Sequence, residues 1–340
     1  LPLKEPFETA KDRKTHSNTV IIQITLDSGQ IGLGEATPVG YVTGESIESA
    51  IAAIEQSRKV IIGADPAEWL SLSLEMESVL PQAHCARAAL EMAMLDAAAK
   101  AADMPVYQYL GGRKLSIVTD ITIPISTPAH AAELAKSARQ NGITRLKMKA
   151  NGTPEDLPRA LAIAEAVPDA DLKIDANQAF SPKSAVAFVK SMDKAGLRLS
   201  LLEQPVAKED IDGLKYVSDN VSVPVFADES VVTPTDAQRL VDAQTVSGVN
   251  VKLMKSGIRG ALEIVEICRN AGIGLMLGCM LESKIGISAA LHLACATGAF
   301  DHFDLDADML IADQPVTGGF VRKGGELEVS DQPGLGCRFV

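Results

Sequence analysis

Short apolar segments alternate with helix-length amphipathic segments along most of the chain from about residue 116 onward. The apolar segments include ITIPI, LSLLEQP, VPVFADE and VNVKL, and segments such as AHAAELAKSARQNG lie between them. Strands that are joined by helix-length crossovers must run parallel. Many such units in about 200 residues favour a closed barrel over an open parallel sheet, which is the alternative fold. The pattern therefore predicts an α/β chain built around a (β/α) barrel.

The N-terminal part of the chain has a different pattern. Two strand-like segments, NTVIIQITL and IGLGEATP, flank an Asp-Ser-Gly turn that is typical of an antiparallel hairpin. Helical periodicity follows over residues 46–58 and 83–102. We therefore predict an α+β capping domain over residues 1–115, called the cap below. We also predict a barrel domain over residues 116–310 and a C-terminal segment, residues 311–340, that returns to the cap.

The composition is that of a folded, water-soluble protein and excludes several classes of function. Of the 340 residues, 46% are hydrophobic and 22% are charged, which excludes a disordered tail, a collagen-like fibre and a coiled coil. The formal net charge of -12 repels phosphate backbones and anionic lipid surfaces. No uncharged apolar stretch approaches the roughly 20 residues that span a bilayer. We expect neither a nucleic-acid partner nor a membrane.

The five cysteines bear on the cellular compartment. They are odd in number and have no metal-ligand spacing, so we interpret them as reduced thiols that pack in the core. The segment LPLKEPFETAKDRK also lacks the apolar region of a secretory signal. Both observations favour a cytoplasmic protein.

Charged residues end four consecutive predicted strands of the barrel. Asp175 ends LKID, Glu203 ends SLLE, Asp228 ends VFAD and Lys252 follows VNV. Consecutive members are separated by roughly 25 residues, the length of one βα unit, so each strand delivers one charged side chain to the same rim. A barrel builds its active site at this rim.

The three acidic members, Asp175, Glu203 and Asp228, are the candidate metal ligands. Three crowded carboxylates repel one another unless a cation neutralises them. Oxygen ligands without a nearby His or Cys indicate Mg²⁺, with Mn²⁺ as the alternative ion. Each carboxylate alone is also explained as a helix cap or a surface charge. Three carboxylates in register argue against that interpretation.

Lysines at the same rim are the candidate bases. Lys147 and Lys149 lie two residues apart on one predicted strand and therefore share a face. Lys149 and Lys252 belong to strands on opposite walls of the barrel, which suits one base on each side of one carbon atom. We expect a nearby cation and partial burial to lower the lysine pKa towards neutrality. Three other lysines are expected to be solvated surface charges: Lys173, Lys183 and Lys255.

Five motifs in the same order, KMK, DANQAF, LLEQP, ADES and VKLMKSG, resemble those of the enolase superfamily, in its muconate lactonizing enzyme subgroup. The resemblance covers nearly the whole chain. It implies a modified TIM barrel, (β/α)₇β, under an α+β cap, with Mg²⁺ on the three carboxylates. It further implies acid and base roles for Lys149 and Lys252, and a role for Lys147 in neutralising a developing enolate. The shared reaction is abstraction of a proton α to a carboxylate.

Asp304 and Asp306 form a D-x-D pair near the end of the eighth predicted strand. Residues two apart on a strand point the same way, so both carboxylates face the pocket and need a cationic partner. The pair resembles the motif with which dipeptide epimerases of the superfamily hold the substrate's α-ammonium group. The resemblance implies an isomerase that inverts the Cα of a dipeptide's C-terminal residue through an enediolate. A solvated acidic turn, or Asp306 paired with Asp308 instead, is the alternative.

The residues that select the dipeptide's side chains are harder to predict. The loop of residues 11–16 is rich in basic side chains, and Arg13 in it is a candidate contact for an acidic side chain, as in L-Ala-D/L-Glu from peptidoglycan turnover. Such a basic loop is also typical of solvated surface. Glu282 ends the seventh predicted strand and is a second candidate contact. The loop of residues 40–46 is a candidate lid or an ordinary turn.

Two other interpretations of the function remain open. The same scaffold serves o-succinylbenzoate synthases, N-succinylamino acid racemases and muconate-type cycloisomerases, whose substrates have no free α-ammonium group for Asp304 and Asp306 to bind. The other interpretation is a catalytically silent barrel that acts as a binding module. The intact lysines and carboxylates argue against it, because converging charges are costly to bury. The expected partners are a dipeptide and further copies of the chain in a homo-oligomer.

Overall fold

The N-terminal part of the chain forms paired strands that pack against helices. The computed structural model describes residues 1–340. The elements of the cap are β1 (Pro2–Glu8), β2 (Arg13–His16), β3 (Val20–Thr25), β4 (Ile31–Ala36), α1 (Gly40–Thr43), α2 (Ile47–Ile61), α3 (Trp69–Val79), α4 (His84–Ala101) and α5 (Val106–Tyr109), with a 3₁₀ turn at Pro66–Glu68. The antiparallel pairs are β1 with β2 and β3 with β4. The predicted hairpin is thereby confirmed.

Helix α4 lies directly against β4. A Cβ atom added to Gly34 would lie 1.9 Å from the carbonyl oxygen of Ala89, so only glycine permits this approach. Asp96 of α4 accepts hydrogen bonds from the backbone N–H of Leu33, at 2.8 Å, and of Leu335, at 2.7 Å. Helix α4 therefore joins the hairpin to the C-terminal segment.

Eight parallel strands form the barrel and seven helices connect them, as the (β/α)₇β pattern predicts. After β5 (Ser116–Val118), the barrel strands are β6 (Ile121–Ile123), β7 (Arg145–Lys149), β8 (Asp171–Asp175), β9 (Leu201–Glu203), β10 (Val225–Ala227), β11 (Gly248–Lys252), β12 (Gly274–Gly278) and β13 (His302–Asp304). The connecting helices are α6 (Pro128–Gln140), α7 (Asp156–Ala166), α8 (Pro182–Lys194), α9 (Ile211–Asn220), α10 (Pro234–Asp242), α11 (Leu253–Ala271) and α12 (Lys284–Thr297). Strand order in the barrel follows chain order.

Three of the barrel helices begin with the same local signal, a hydroxyl residue followed by proline. The side chains of Thr127, Ser181 and Thr233 each accept a hydrogen bond from the backbone N–H three residues later. Proline occupies the first helical position, where its missing N–H costs nothing. This signal fixes the start of α6, α8 and α10.

The C-terminal residues contact both the barrel and the cap. They form α13 (Ala307–Leu310), β14 (Val316–Gly318), β15 (Phe320–Lys323), β16 (Glu326–Val329) and β17 (Cys337–Phe339). Strand β5 pairs with β16 in a three-stranded sheet outside the barrel. The hydroxyl of Tyr107 donates to Asp331 Oδ1 at 2.9 Å, and the N–H of Val106 donates to the carbonyl of Gly334 at 3.0 Å. The last residues thus bond to α5 of the cap.

One hydrophobic core runs through the molecule. Its 76 buried residues extend from α4 of the cap through the helices and strands of the barrel, so the two parts share a single packed interior. All five cysteines are buried free thiols, which confirms their interpretation as packing residues. No helix combines the length and apolar character needed to cross a membrane.

The close approach of β4 to α4 gives a stability prediction. We expect Gly34→Ala to lower the free energy of unfolding by about 1–3 kcal/mol or more, because the new methyl group overlaps backbone atoms that cannot move independently. Gly40→Ala is the matched control, since its Cβ would lie 3.7 Å from the nearest atom. Thermal melting compares the two variants. Equal melting temperatures would contradict the predicted overlap.

Candidate active site

The six ionisable side chains predicted to converge do so at the carboxyl end of the barrel. All six are buried. Strand register places Lys149, Asp175 and Glu203 side by side at the ends of β7, β8 and β9. Asp228 directly follows β10, and Lys252 ends β11. The regular spacing of strand ends in the sequence therefore becomes one cluster of charges in the structure.

The three carboxylates form the centre of this cluster. One oxygen from each of Asp175, Glu203 and Asp228 lies within 4.8 Å of the other two. Burial and the negative charge of Asp175 raise the pKa of Glu203 to about 7, which shows that the three charges oppose one another. The donors are all oxygen atoms, and hard divalent cations such as Mg²⁺ prefer oxygen. The donor set and its crowding therefore fit Mg²⁺.

The candidate bases lie on either side of the carboxylates. Lys149 Nζ donates to Asp175 Oδ2 at 2.5 Å, and Lys252 Nζ donates to Asp228 Oδ2 at 2.7 Å. Their strands, β7 and β11, are four positions apart in the eight-stranded barrel and form opposite walls. A substrate carbon held between them is exposed to one amine on each face.

The expected lowering of the lysine pKa requires a bound cation and stays a prediction, because the protein's own groups act on these lysines in the opposite direction. Burial lowers the pKa of Lys252, but the negative charges of Asp228 and Glu203 outweigh it and raise the pKa well above the usual lysine range. Burial is likewise outweighed at Lys147, where the charges of Asp304 and Glu203 raise the pKa. A divalent cation bound by the same carboxylates would offset these negative charges.

The two carboxylates of the D-x-D pair, Asp304 and Asp306, differ in their hydrogen-bond partners. Asp304 accepts a hydrogen bond from Lys147 Nζ and is thereby already paired with a cation. Asp306 Oδ2 accepts from the backbone N–H of Thr122 at 2.6 Å. Burial and the charge of Asp304 raise the pKa of Asp306 to about 6. Asp308, the alternative member of the pair, bonds to Arg322 instead.

A cavity opens above these groups, between the barrel and the cap. Lys149, Lys252, Asp304 and Asp306 line it together. Gly278 of β12 leaves room beside Lys252, because a Cβ there would lie 3.0 Å from Lys252 Cε. The apolar part of the wall comes from the cap and from the loops after β12 and β13: Phe7, Val39, Val42, Met280, Leu281 and Leu310.

The two candidate specificity residues lie outside this cavity. Arg13 is exposed and pairs with Glu8 at 3.5 Å, whereas Lys14 lines the cavity and lies 3.7 Å from Asp12. Glu282 is buried beneath its own loop and accepts a hydrogen bond from the N–H of Met280 at 2.7 Å.

The candidate lid, residues 40–46, contains the short helix α1. Tyr41 and Val42 of this helix line the cavity. Their carbonyl groups accept hydrogen bonds from Lys208 Nζ at 3.3 and 3.0 Å, so the barrel loop after β9 holds the helix in place. Residues of the cap therefore complete the cavity wall from above.

Two lysines expected at the surface are buried. Lys173 Nζ bonds to both oxygens of Asp120 at 2.8 Å inside the barrel, and Lys255 Nζ bonds to Asp228. Lys183 is exposed, as expected. The signal for Lys255 was its place three residues after Lys252, in the first turn of α11, which directs it back towards the strand ends. Sequence reasoning also missed Asn250, which donates to Glu203 Oε1 at 2.6 Å.

A capped barrel with an acidic site between two lysines defines a class of enzyme, and comparison with known proteins agrees with it. Residues 1–111 match the mandelate racemase/muconate lactonizing enzyme N-terminal domain, and residues 130–339 match the enolase C-terminal domain-like family. The chain belongs to the mandelate racemase/muconate lactonizing enzyme family of the enolase superfamily.

Individual relatives align over nearly their whole length. The chain is 36% identical to the L-Ala-D/L-Glu epimerase of Bacillus subtilis, covering 99% of this chain and 93% of the relative, and a substrate-liganded complex of that enzyme superposes with a TM-score of 0.96. It is 39% identical to a hydrophobic dipeptide epimerase of Enterococcus faecalis, covering 99% and 96%. A dipeptide epimerase structure from Enterococcus faecalis, complexed with Mg and the dipeptide L-Leu-L-Tyr, has a TM-score of 0.95 and covers 99% of this chain and 96% of its own.

The buried Glu282 gives a prediction about pH. Burial, together with the charge of Glu35, raises the pKa of Glu282 to about 8, above the value near 4.5 of an unperturbed glutamate. The folded chain then binds a proton that the unfolded chain has lost, so stability falls as the pH rises from about 5 to 8. Glu282→Gln should remove the part of the pH-dependent loss of stability that Glu282 causes. Melting temperatures at pH 5 and pH 8 measure this loss. The exposed Glu75→Gln is the control. An unchanged pH dependence in Glu282→Gln would show that this carboxyl group is not protonated in the folded chain.

Proposed function

We propose that the chain is an isomerase, a Mg²⁺-dependent dipeptide epimerase that inverts the Cα of the C-terminal residue by two-base 1,1-proton transfer. The observation that carries the proposal is the position of Lys149 and Lys252 on opposite walls of one cavity, beside the carboxylate cluster. The relatives named as dipeptide epimerases support the substrate class. The roles given to individual residues below are part of the proposal.

In this proposal Asp175, Glu203 and Asp228 hold the ion, which is Mg²⁺ with Mn²⁺ as the alternative. When bound, the ion supplies Lewis-acid stabilisation to a substrate carboxylate whose negative charge grows as the α-proton leaves. Lys147 adds a fixed positive charge beside the same centre, because its Nζ lies 3.2 Å from Glu203 Oε2 and 3.5 Å from Asp175 Oδ2. Such preorganised charge favours the transition state.

Lys149 and Lys252 transfer the proton. One lysine, as a neutral amine, removes the α-proton and becomes an ammonium group, which leaves the substrate as an enediolate. The other, as an ammonium group, donates a proton to the opposite face of the same carbon and becomes an amine. The product has the inverted configuration, and the two lysines have exchanged protonation states.

Asp306 is proposed to bind the α-ammonium group of the dipeptide. It lines the cavity, and one of its oxygens is already fixed by the N–H of Thr122. Asp304 shares this role less directly, because Lys147 already neutralises it. A free ammonium group in the substrate gives the buried Asp306 the cationic partner that it otherwise lacks.

The dipeptide's side chains are selected by the outer part of the cavity. For L-Ala-D/L-Glu we propose Lys14 as the contact of the acidic side chain, in place of Arg13, because Lys14 lines the cavity. Asp12 competes for the same ammonium group at 3.7 Å. The apolar remainder of the wall supports hydrophobic dipeptides as the second group of substrates.

The second candidate function is racemisation of an N-succinylamino acid. The chain superposes on an N-succinyl Arg/Lys racemase from Bacillus cereus with a TM-score of 0.95 at 26% identity, covering 100% of this chain and 93% of that chain. Such a substrate brings no ammonium group to Asp306. A substrate screen distinguishes the proposed epimerase from its alternatives. These are this racemase function, the o-succinylbenzoate synthase and cycloisomerase reactions, and a silent binding module.

The screen is a hydrogen-exchange experiment. We incubate the protein and Mg²⁺ with a library of L,L-dipeptides and N-succinylamino acids in deuterium oxide, and follow loss of the Cα proton by NMR. The proposal predicts exchange and epimerisation of the C-terminal residue of dipeptides. Exchange confined to N-succinylamino acids would favour the racemase. No exchange across the library would overturn the epimerase and leave a binding module or the o-succinylbenzoate synthase and cycloisomerase reactions.

The two-base mechanism predicts that neither lysine is dispensable. Lys149→Ala and Lys252→Ala should each lower the rate of epimerisation at least about a hundredfold, the usual contribution of a positioned acid or base. Circular dichroism and Mg²⁺ titration should show that both variants fold and bind the ion. The exposed Lys183→Ala is the control. Epimerisation at the wild-type rate in either active-site variant would refute the mechanism.

The ammonium-binding role of Asp306 predicts a change in selectivity. Asp306→Asn should raise KM for dipeptides about tenfold or more, because a hydrogen bond to a charged group contributes about 1.5–3 kcal/mol. KM for N-acylated amino acids should change much less. Asp308→Asn should leave both values unchanged, since Asp308 bonds to Arg322 and does not line the cavity. An equal effect of Asp306→Asn on both substrate types would break this assignment.

The cellular setting is the least constrained part of the proposal. We propose a cytoplasmic homo-oligomer that acts in peptidoglycan turnover. Five buried free thiols support a reducing compartment, and an acidic dipeptide is a product of peptidoglycan breakdown. Gel filtration with light scattering tests the oligomeric state.

A further inference from the structure

Lys255 is a buried lysine that takes no part in the proposed proton transfer. Its side chain is 1% exposed. Its Nζ donates to the carbonyl oxygen of Asp228 at 2.6 Å, to Asp228 Oδ1 at 2.7 Å and to the carbonyl oxygen of Asn250 at 2.8 Å. An ammonium group has three N–H bonds, and these acceptors use all of them. Lys255 does not line the cavity, so it has neither a free N–H nor access for the substrate.

The Asp228 carboxylate is held from two sides by different kinds of partner. Lys255 binds Oδ1 from below the cavity wall, and Lys252, which lines the cavity, binds Oδ2. The proposed proton transfer requires Lys252 to leave Asp228 for the substrate carbon. Lys255 does not have to release Asp228 during the reaction. It bonds to Asp228 twice, once to the side-chain oxygen Oδ1 and once to the backbone carbonyl oxygen.

Strand β11 and the first turn of α11 together position two of the three carboxylates. Lys255 joins Asp228 to the carbonyl group of Asn250, and the side chain of Asn250 donates to Glu203 Oε1 at 2.6 Å. Each of these two carboxylates therefore has one oxygen fixed by a buried donor. The other oxygen of each is left for cations: Lys147 bonds to Glu203 Oε2 and Lys252 to Asp228 Oδ2.

We infer that Lys255 is a positioning residue that fixes the orientation of Asp228 and thereby sets the affinity of the site for its divalent cation. The inference rests on the metal site of the proposed function. Groups that hydrogen-bond to metal ligands orient them, and their loss typically weakens metal binding 10–100-fold. Of the three carboxylates Lys255 contacts only Asp228, and it takes no part in the chemistry at the substrate carbon.

Orientation and charge make opposite predictions for this lysine. If only Coulomb forces matter, loss of a positive charge beside a cation site removes a repulsion and strengthens cation binding. Loss of two hydrogen bonds to Asp228 frees its carboxylate to rotate, which weakens cation binding if orientation matters. The sign of the change therefore separates a positioning role from a mere charge near the site.

The experiment is a titration of the protein with Mg²⁺ alone, monitored by calorimetry. Lys255→Met should weaken Mg²⁺ binding about tenfold or more. Lys255→Gln keeps an amide group with two N–H donors and should weaken it less. Lys183→Met controls for loss of an exposed lysine. Lys173→Met controls for loss of a buried one, because Lys173 pairs with Asp120 and touches none of the three carboxylates. It should melt at a lower temperature with the same Mg²⁺ affinity.

A kinetic measurement separates positioning from catalysis. With a dipeptide that the wild type epimerises, saturating Mg²⁺ should restore kcat of Lys255→Met to within a few fold of the wild-type value. A persistent loss of kcat at saturating Mg²⁺ would overturn the inference, because it would place Lys255 in the proton transfer.

The outcomes also distinguish the inference from the proposed function. If the wild type binds no Mg²⁺, the proposed metal site is wrong. If the wild type binds Mg²⁺ and Lys255→Met binds it as tightly or more tightly, only the role of Lys255 is overturned. If Lys255→Met does not fold, Lys255→Gln decides by the same comparison.

Discussion

Three carboxylates lie within a few ångströms of one another inside a barrel, where water screens charge poorly. Their mutual repulsion must be offset by the other groups of the site. Cations surround the cluster: Lys147 and Lys149 approach from β7, and Lys252 and Lys255 from β11 and the start of α11. The pKa of Glu203 stays raised, at about 7, in spite of these neighbours. In the proposed function, a divalent cation at the centre would relieve this repulsion and leave Lys149 and Lys252 free for the substrate.

The cap helps to hold this cluster as well as to cover it. Glu91 of α4 accepts hydrogen bonds from the backbone N–H groups of Ile258 and Arg259 in α11, the helix that carries Lys255. Glu35 of β4 accepts from the N–H of Ser283, at the start of α12, at 2.9 Å. Buried carboxylates of the cap thus fix the helices that follow β11 and β12. The orientation of the rim therefore depends on the packing between cap and barrel, which is continuous through one core.

The barrel and the central charges could be predicted from the sequence because a periodic fold puts them at periodic positions. Asp175 and its counterparts end strands about one βα unit apart, so their convergence follows from the topology. The burial of Lys173 and Lys255 could not be predicted this way, since it depends on carboxylates supplied by other strands. Arg13 was proposed as a substrate contact for its charge in a basic loop, and Glu282 for its place at the end of the seventh predicted strand. That strand, β12, ends at Gly278, so Glu282 lies in the loop after it. Periodicity does not fix the direction of a loop side chain, and the structure places both outside the cavity.

The most direct test of the central claim is a crystal structure with Mn²⁺ and a dipeptide bound, with the ion located by its anomalous scattering. The account predicts one peak, bonded to an oxygen of each of Asp175, Glu203 and Asp228, with the Cα of the C-terminal residue between Lys149 Nζ and Lys252 Nζ. A peak elsewhere, or both amines on the same face of that carbon, would contradict it.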